Sequence, residues 1–200
     1  MPIEGKDWQL SKTFTERDVG VYISYDLKWS NQINQAIAKA NSKLGLILKT
    51  FTSRDKTLMK TLYCSNVRPH LEFAASVWNP YLEKDIQKLE KIQNRATKTI
   101  PELRHMLNED RNRQLNLTSL RTRRLRGDLI QQFRIIHGID SLEWPTGNNF
   151  ANSLSVDGVV NNLRGHKYRI TSEITKNNDR FNFFKNRIAE HWNKLTNENL

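Results

Sequence analysis

The chain has 200 residues, with 32 Lys and Arg against 21 Asp and Glu, a formal charge of +11 and a pI near 9.9. That length suits one domain or one with an appendage, and the charge points to an anionic partner without specifying a fold. Cys64 is the only cysteine, which excludes an internal disulfide or a thiolate zinc cluster and makes a reducing compartment the default. No apolar run approaches the roughly 20 residues of a membrane span, and no signal-peptide pattern opens the chain. The expectation is an intracellular protein, nuclear or cytoplasmic, with no membrane partner.

In chain order, residues 8–14 and 19–24 read as short strands, with polar Thr15-Glu16-Arg17-Asp18 between them, which predicts a small antiparallel hairpin within residues 1–29. After Trp29, Ser30 or Asn31 can cap a helix whose apolar residues Ile33, Ile37, Ala40, Leu44, Leu48 and Phe51 repeat at helical period. Thr52-Ser53 breaks it and caps a second helix through Leu58, Leu62 and Tyr63. Pro69 kinks that helix or starts the next. A basic helix follows over residues 83–100, ended by Pro101, then a short one over 108–115 and a longer one over 119–137, closed by Gly138. Residues 139–163 carry Pro145, Gly147, Gly158 and many Asn and Ser, the composition of a flexible linker. Beyond it, residues 167–170 suggest a strand, and Phe181, Phe184, Ile188, Trp192 and Leu195 suggest a last amphipathic helix within a tail of residues 164–200. The fold class expected is mainly α: a helical bundle over residues 30–138, with the hairpin before it and the amphipathic helix after the linker.

The charge is concentrated. Residues 95–126 hold nine Lys and Arg against three acids. Lys84, Lys88, Lys91, Arg95 and Lys98 recur at steps of four, three, four and three, which places all five on one helix face. Ile86, Leu89, Ala96 and Ile100 repeat on the opposite side and would face a core. The ridge would be about 20 Å long and could follow successive phosphates of a nucleic-acid strand. Taken alone, the spacing favours a solvated helix face, with Glu83 and Glu90 at its edges.

The words around the ridge add to this. Val67-Arg68-Pro69-His70-Leu71-Glu72-Phe73-Ala74 leads into Val77-Trp78-Asn79-Pro80-Tyr81, then Leu89-Glu90-Lys91-Ile92-Gln93, Arg95-Ala96-Thr97-Lys98 and Arg123-Arg124-Leu125-Arg126-Gly127-Asp128. Upstream stand Asp18-Val19-Gly20-Val21 and Asp26-Leu27-Lys28-Trp29; downstream stand Arg164-Gly165-His166, Asn182-Phe183-Phe184, Arg187-Ile188 and Trp192-Asn193. In order and spacing this resembles the region after the catalytic palm in reverse transcriptases of LINE-type (non-LTR) retrotransposons, particularly the jockey-like group, over nearly the whole chain.

The resemblance implies a primer-grip hairpin, a helical thumb and a post-thumb tail, which together would hold a template–primer duplex, RNA·DNA hybrid or DNA, beside the palm and fingers of the polymerase. It makes Val19, Gly20 and Val21 primer-grip-like and implies that Met1 begins where a full element would be mid-protein, as in a truncated copy. The family's catalytic Asp-Asp turn is missing: the sequence contains no Asp-Asp pair, so no polymerase chemistry is expected of this chain alone. A host-adopted nucleic-acid-binding module and a helical protein–protein adaptor are the alternatives.

Other candidates follow from the residues themselves. Arg121, Arg123, Arg124 and Arg126, four arginines in six residues with no acid among them, repel one another unless an anion is near. Leu125, Leu129, Phe133 and Ile136 define that helix's expected apolar side, so Arg123 and Arg124 are expected to point away from it. Arg164, His166 and Lys167 form a basic turn that either touches nucleic acid or is plain surface. Trp29, Trp78 and Trp192 read as core, while Trp8 and Trp144 leave base stacking open. His70, His105, His137, His166 and His191 have no ligand spacing, so neither a metal nor a cofactor is expected.

Overall fold

The N-terminal hairpin is decided by its turn. The computed structural model describes residues 11–140, 168–176 and 178–196. In it strand β1 is Thr15–Asp18 and β2 is Val21–Ser24, antiparallel, with Asp18 opposite Val21. The expected strand over residues 8–14 is therefore corrected. Residues 8–10 lie outside the described residues, 11–14 are not strand, and the polar tetrapeptide read as a connection is itself β1. Val19 and Gly20, at φ +44° and +86°, form a two-residue loop of the primed kind, whose twist matches that of the strands it joins. Such a loop fixes register from Asp18 and Val21 outward.

Gly20 is required twice over: its φ is left-handed, and a Cβ there would sit 3.3 Å from Cε1 of Phe73. Val19 is a β-branched residue in the same backbone region and is 87% exposed. Val19→Asn should therefore raise stability by about 1 kcal/mol, since Asn tolerates this backbone and no packing is lost. Gly20→Val should lower it by at least that much. The urea midpoints of both variants check this.

Helix α1 (Ser30–Thr50) buries Ile33, Ala36, Ala40, Leu44 and Ile47 along one stripe. Its N-cap position is Trp29, with no side-chain cap bond, so Ser30 and Asn31 are not the caps. Buried Gln32 accepts the backbone N–H of Tyr22 at 3.0 Å and ties β2 to α1. Helix α2 (Lys56–Leu62) is capped not by Thr52 or Ser53 but by Asp55, whose Oδ2 accepts from the N–H groups of Thr57 and Leu58, both at 2.9 Å. The chain then widens into a π turn, Tyr63–Val67, and resumes as α3 (Arg68–Glu72). Pro69 is the reason for the widening: it has no N–H to give, and its ring would crowd the carbonyl of Ser65 in a regular helix.

The main core gathers α1, the π turn, α3 and helix α4 (Glu83–Lys98) around Leu44, Tyr63, Leu71, Trp78 and Leu89, and also buries Ile100 and Leu120. Helix α5 (Asn108–Gln114) packs on α4. Helix α6 (Leu120–Ile136) begins at Ser119, whose Oγ accepts the Thr122 N–H at 3.1 Å. It ends at Gly138, φ +67°, with Ile139 N–H donating to Arg134 O at 2.9 Å and Gly138 N–H to Ile135 O at 3.2 Å.

The expected single C-terminal helix is two, α7 (Asn178–Phe181) and α8 (Phe184–Asn193), so Phe181 stands apart and half-exposed. Helix α8 packs on α6 through Phe184, Ile188 and Trp192 against Ile135, forming a second core. Of the strand expected at residues 167–170, the described part keeps only a single bridge residue, Ile170. The side chain of Asn193 donates to Ile170 O at 2.9 Å and accepts its N–H at 3.0 Å. The expected linker lies outside the described residues except for Ile139 and Asp140, and Asp140 is bonded to Arg134 and Gln131. The described residues thus form a mainly helical protein with a small N-terminal hairpin and a C-terminal amphipathic helix. No helix among them is long and apolar enough to cross a membrane.

Candidate nucleic-acid interface

Helix α4 carries the candidate ridge. Glu83 and Asp85 in its first turn and Arg95 and Lys98 in its last complement its macrodipole. Its buried face is only partly apolar: Leu89, Ile92 and Ala96 share it with Asp85, Gln93 and Thr97. Gln93 accepts the phenol O–H of Tyr63 at 2.9 Å and donates to Asn112 Oδ1 at 3.2 Å and Thr118 O at 3.1 Å. Burial holds the Tyr63 phenol well above its usual range. Buried Arg111, from α5, donates to Thr97 Oγ1 at 3.1 Å and to Asn94 Oδ1 and Met106 O. These bonds leave α4 one rotation about its axis, because any other would strand buried polar groups.

That rotation turns Lys84, Lys91, Arg95 and Lys98 outward, all exposed on one face. Lys84, Lys91 and Lys98 make no ion pair among the described residues. Arg95 donates to Asn41 Oδ1 of α1 at 3.1 Å and remains exposed. Lys88 is more committed: its ammonium sits 2.9 Å from Oδ1 of buried Asp85. The ridge is therefore four available cations and one tethered, over about 20 Å at 1.5 Å per residue.

The four arginines of α6 separate into three kinds. Arg121 and Arg126 are exposed, and Arg121 lies 3.5 Å from Glu83 on the acidic edge of α4. Arg123 grips Glu72 through Nε and Nη2, the latter at 3.1 Å, a hydrogen bond that raises its pKa. Arg124 is 4% exposed, so the expectation that it faces outward toward phosphate is corrected. Its guanidinium lies 4.2 Å over the Trp78 ring and donates to Leu71 O. Its Nε and Nη1 are buried without a hydrogen-bond partner among the described residues. Burial pushes its pKa down to about 10, with Glu72 and Asp128 opposing.

The buried stripe of α6 is Leu120, Arg124, Asp128, Gln132 and Ile135, while the expected apolar residues Leu125, Leu129, Phe133 and Ile136 are half-buried. Asp128 explains why a polar stripe can face inward. It is 1% exposed and takes a two-pronged bond from Arg187 of α8, at 2.9 and 3.0 Å, plus one from Asn79 at 2.9 Å. Arg187 also donates to Ser76 O at 2.5 Å. Asp128 and Arg187 escaped the sequence reading. The available signal was an acid four residues beyond Arg124, and an arginine inside the apolar repeat of α8.

Of the primer-grip-like residues, Val19 projects at the hairpin tip, Gly20 sits against Phe73, and Val21 is buried in the core. The tip packs on the end of α3, not on the ridge. Arg164, His166 and Lys167 lie outside the described residues. Trp78 and Trp192 are buried and Trp29 half-buried against the core, as read; Trp8 and Trp144 are not described. Among the described residues no three His, Cys, Asp or Glu side chains converge as a metal site. Comparison with protein-family models, with curated proteins and with solved structures gives no match.

Proposed function

We propose that this chain binds the phosphate backbone of a nucleic-acid duplex, RNA·DNA hybrid or DNA, without reading sequence. In this reading it is the primer-grip, thumb and post-thumb part of a LINE-type reverse transcriptase and would work beside a palm and fingers. The word pattern of the sequence supports the family. The ridge on α4 is the observation that carries the function: four exposed cations in line, held in direction by buried hydrogen bonds. Phosphate contacts hold a duplex in register while leaving sequence unread, which suits a polymerase that moves along its template. Without paired carboxylates to hold metal ions, the chain would supply grip and not chemistry.

A salt titration of duplex binding tests the reading. Four phosphate contacts give a slope of log K against log salt of about −3 to −4. The triple variant Lys84→Gln, Lys91→Gln, Lys98→Gln should flatten it by roughly two to three units, since Gln keeps the helix and removes the charge. Leu89→Ala is the control from the opposite face: it should cost roughly 2–5 kcal/mol of stability and leave the slope unchanged. A triple variant that binds like its parent at every salt concentration overturns the reading. The adaptor reading would then lead, supported by a groove of about 880 Å³ lined by Ile23, Leu27, Trp29, Val77, Phe183 and Phe184.

A further inference from the structure

Helix α1 has three lysines and no acid in 21 residues. Lys39 and Lys43, four apart, share one flank of it and are exposed. Helix α3 packs against α1 and brings His70 toward that flank; burial lowers the His70 pKa first, and then Lys43 and Lys39 do so. None of the three has an ion-pair or hydrogen-bond partner among the described residues. The acid on α3, Glu72, is already held by Arg123 and Arg68. Two helices thus bring together three groups that repel one another when protonated, with no unpaired carboxylate on either helix to offset them. Asn41, which Arg95 of the ridge reaches, lies about 160° around α1 from Lys39 at 100° per residue. The ridge and this cluster therefore stand on opposite flanks of one helix about 10 Å across.

We propose that Lys39, Lys43 and His70 form a second phosphate-binding surface, which takes the other backbone of the duplex held by the α4 ridge. This rests on the duplex-binding reading but on different residues, so the two can fail separately. A phosphate between the lysines removes their mutual repulsion and favours the imidazolium of His70, which the lysines alone disfavour. Binding should then take up a proton and strengthen as pH falls through and below the ordinary His value, because the free imidazole titrates below that value and a bound phosphate raises it.

The test is fluorescence anisotropy of a labelled duplex of about 20 base pairs, with the full chain, across a salt series. Lys39→Gln with Lys43→Gln should flatten the slope by about 1.8 units, at 0.9 per phosphate contact, and add to the loss from the ridge triple variant. His70→Gln should reduce the gain in affinity at low pH while leaving binding at pH 7.5 near that of the parent. A single strand of equal length, offering one backbone, should show contacts from one cation set only, counted at about 0.7 of slope per contact. If the α1 double variant keeps the parent slope while the ridge variant loses it, the second surface is overturned and the ridge reading stands. If the ridge variant keeps its slope and the double variant loses it, the cluster is a phosphate site and the ridge is not. If the strand slope, at about 0.7 per contact, counts as many contacts as the duplex slope at about 0.9, the assignment to a second backbone is overturned.

Discussion

Asp128→Ala is expected to lower stability by roughly 3–5 kcal/mol, the range for removing one partner of a buried ion pair. The carboxylate takes three hydrogen bonds, two from Arg187 and one from Asn79, and is 1% exposed. Its loss leaves the Arg187 guanidinium inside the protein with Ser76 O and Asn182 O as its remaining acceptors. Arg124, two of whose nitrogens have no hydrogen-bond partner among the described residues, loses one of the three carboxylates, Glu72, Asp128 and Glu90, that oppose its burial. Because Asp128 stands on α6 and Arg187 on α8, the loss should loosen the second core more than the first. Urea denaturation measures it, and the near-ultraviolet circular dichroism contributed by buried Trp192, taken as the difference from a Trp192→Phe variant, reports that second core. The double variant Asp128→Leu, Arg187→Met should recover much of the loss, since an apolar pair can replace a buried ion pair at little cost. A loss below about 1 kcal/mol for Asp128→Ala would mean that water reaches the pair in solution.

The parts legible in the sequence are those where a repeat of side chains reports a single environment. The apolar stripe of α1 and the cationic face of α4 repeat at helical period, so both helices and the outward turn of Lys84, Lys91, Arg95 and Lys98 could be read directly. The ends of α6 were legible for the same local reason, a Ser cap at one end and Gly138 at the other. Where a residue's environment is supplied from elsewhere in the chain, the pattern misleads. Arg124 resembles its three arginine neighbours until Trp78 and Asp128 are placed around it. Gln93 and Thr97 look like surface residues of a basic helix until Tyr63, Arg111 and Asn112 arrive to satisfy them. Lys39 and Lys43 are an ordinary pair on a solvated helix until His70 is set beside them from α3. The hairpin shows a local rule at work: a two-residue turn at Val19-Gly20 fixed which residues pair, so Thr15–Asp18 is strand while residues 11–14, read as strand, are not.

Trp78→Ala should cost at least as much as Asp128→Ala. Trp78 is fully buried, and truncating an aromatic side chain in a core costs roughly 3–5 kcal/mol through the cavity left behind. Two further losses add to it. The indole N–H donates to Phe73 O at 2.7 Å, and the ring lies beneath the Arg124 guanidinium at 4.2 Å. Trp78→Phe, which keeps an aromatic face and gives up the N–H bond, should cost about 1–3 kcal/mol and so separates the packing from the hydrogen bond. Arg124 itself makes the sharper test, because two of its nitrogens are buried without hydrogen-bond partners among the described residues. Arg124→Met removes those N–H groups, keeps a long apolar stem over Trp78, and should change stability by no more than about 1 kcal/mol in either direction. Its duplex binding should keep the parent's salt slope. Arg126, two residues on and exposed, behaves otherwise if it meets a phosphate: Arg126→Gln should flatten the slope by about one unit. A slope that flattens in Arg124→Met would mean that this guanidinium leaves Trp78 to reach the backbone, and the buried polar stripe of α6 would then be only one of its two states.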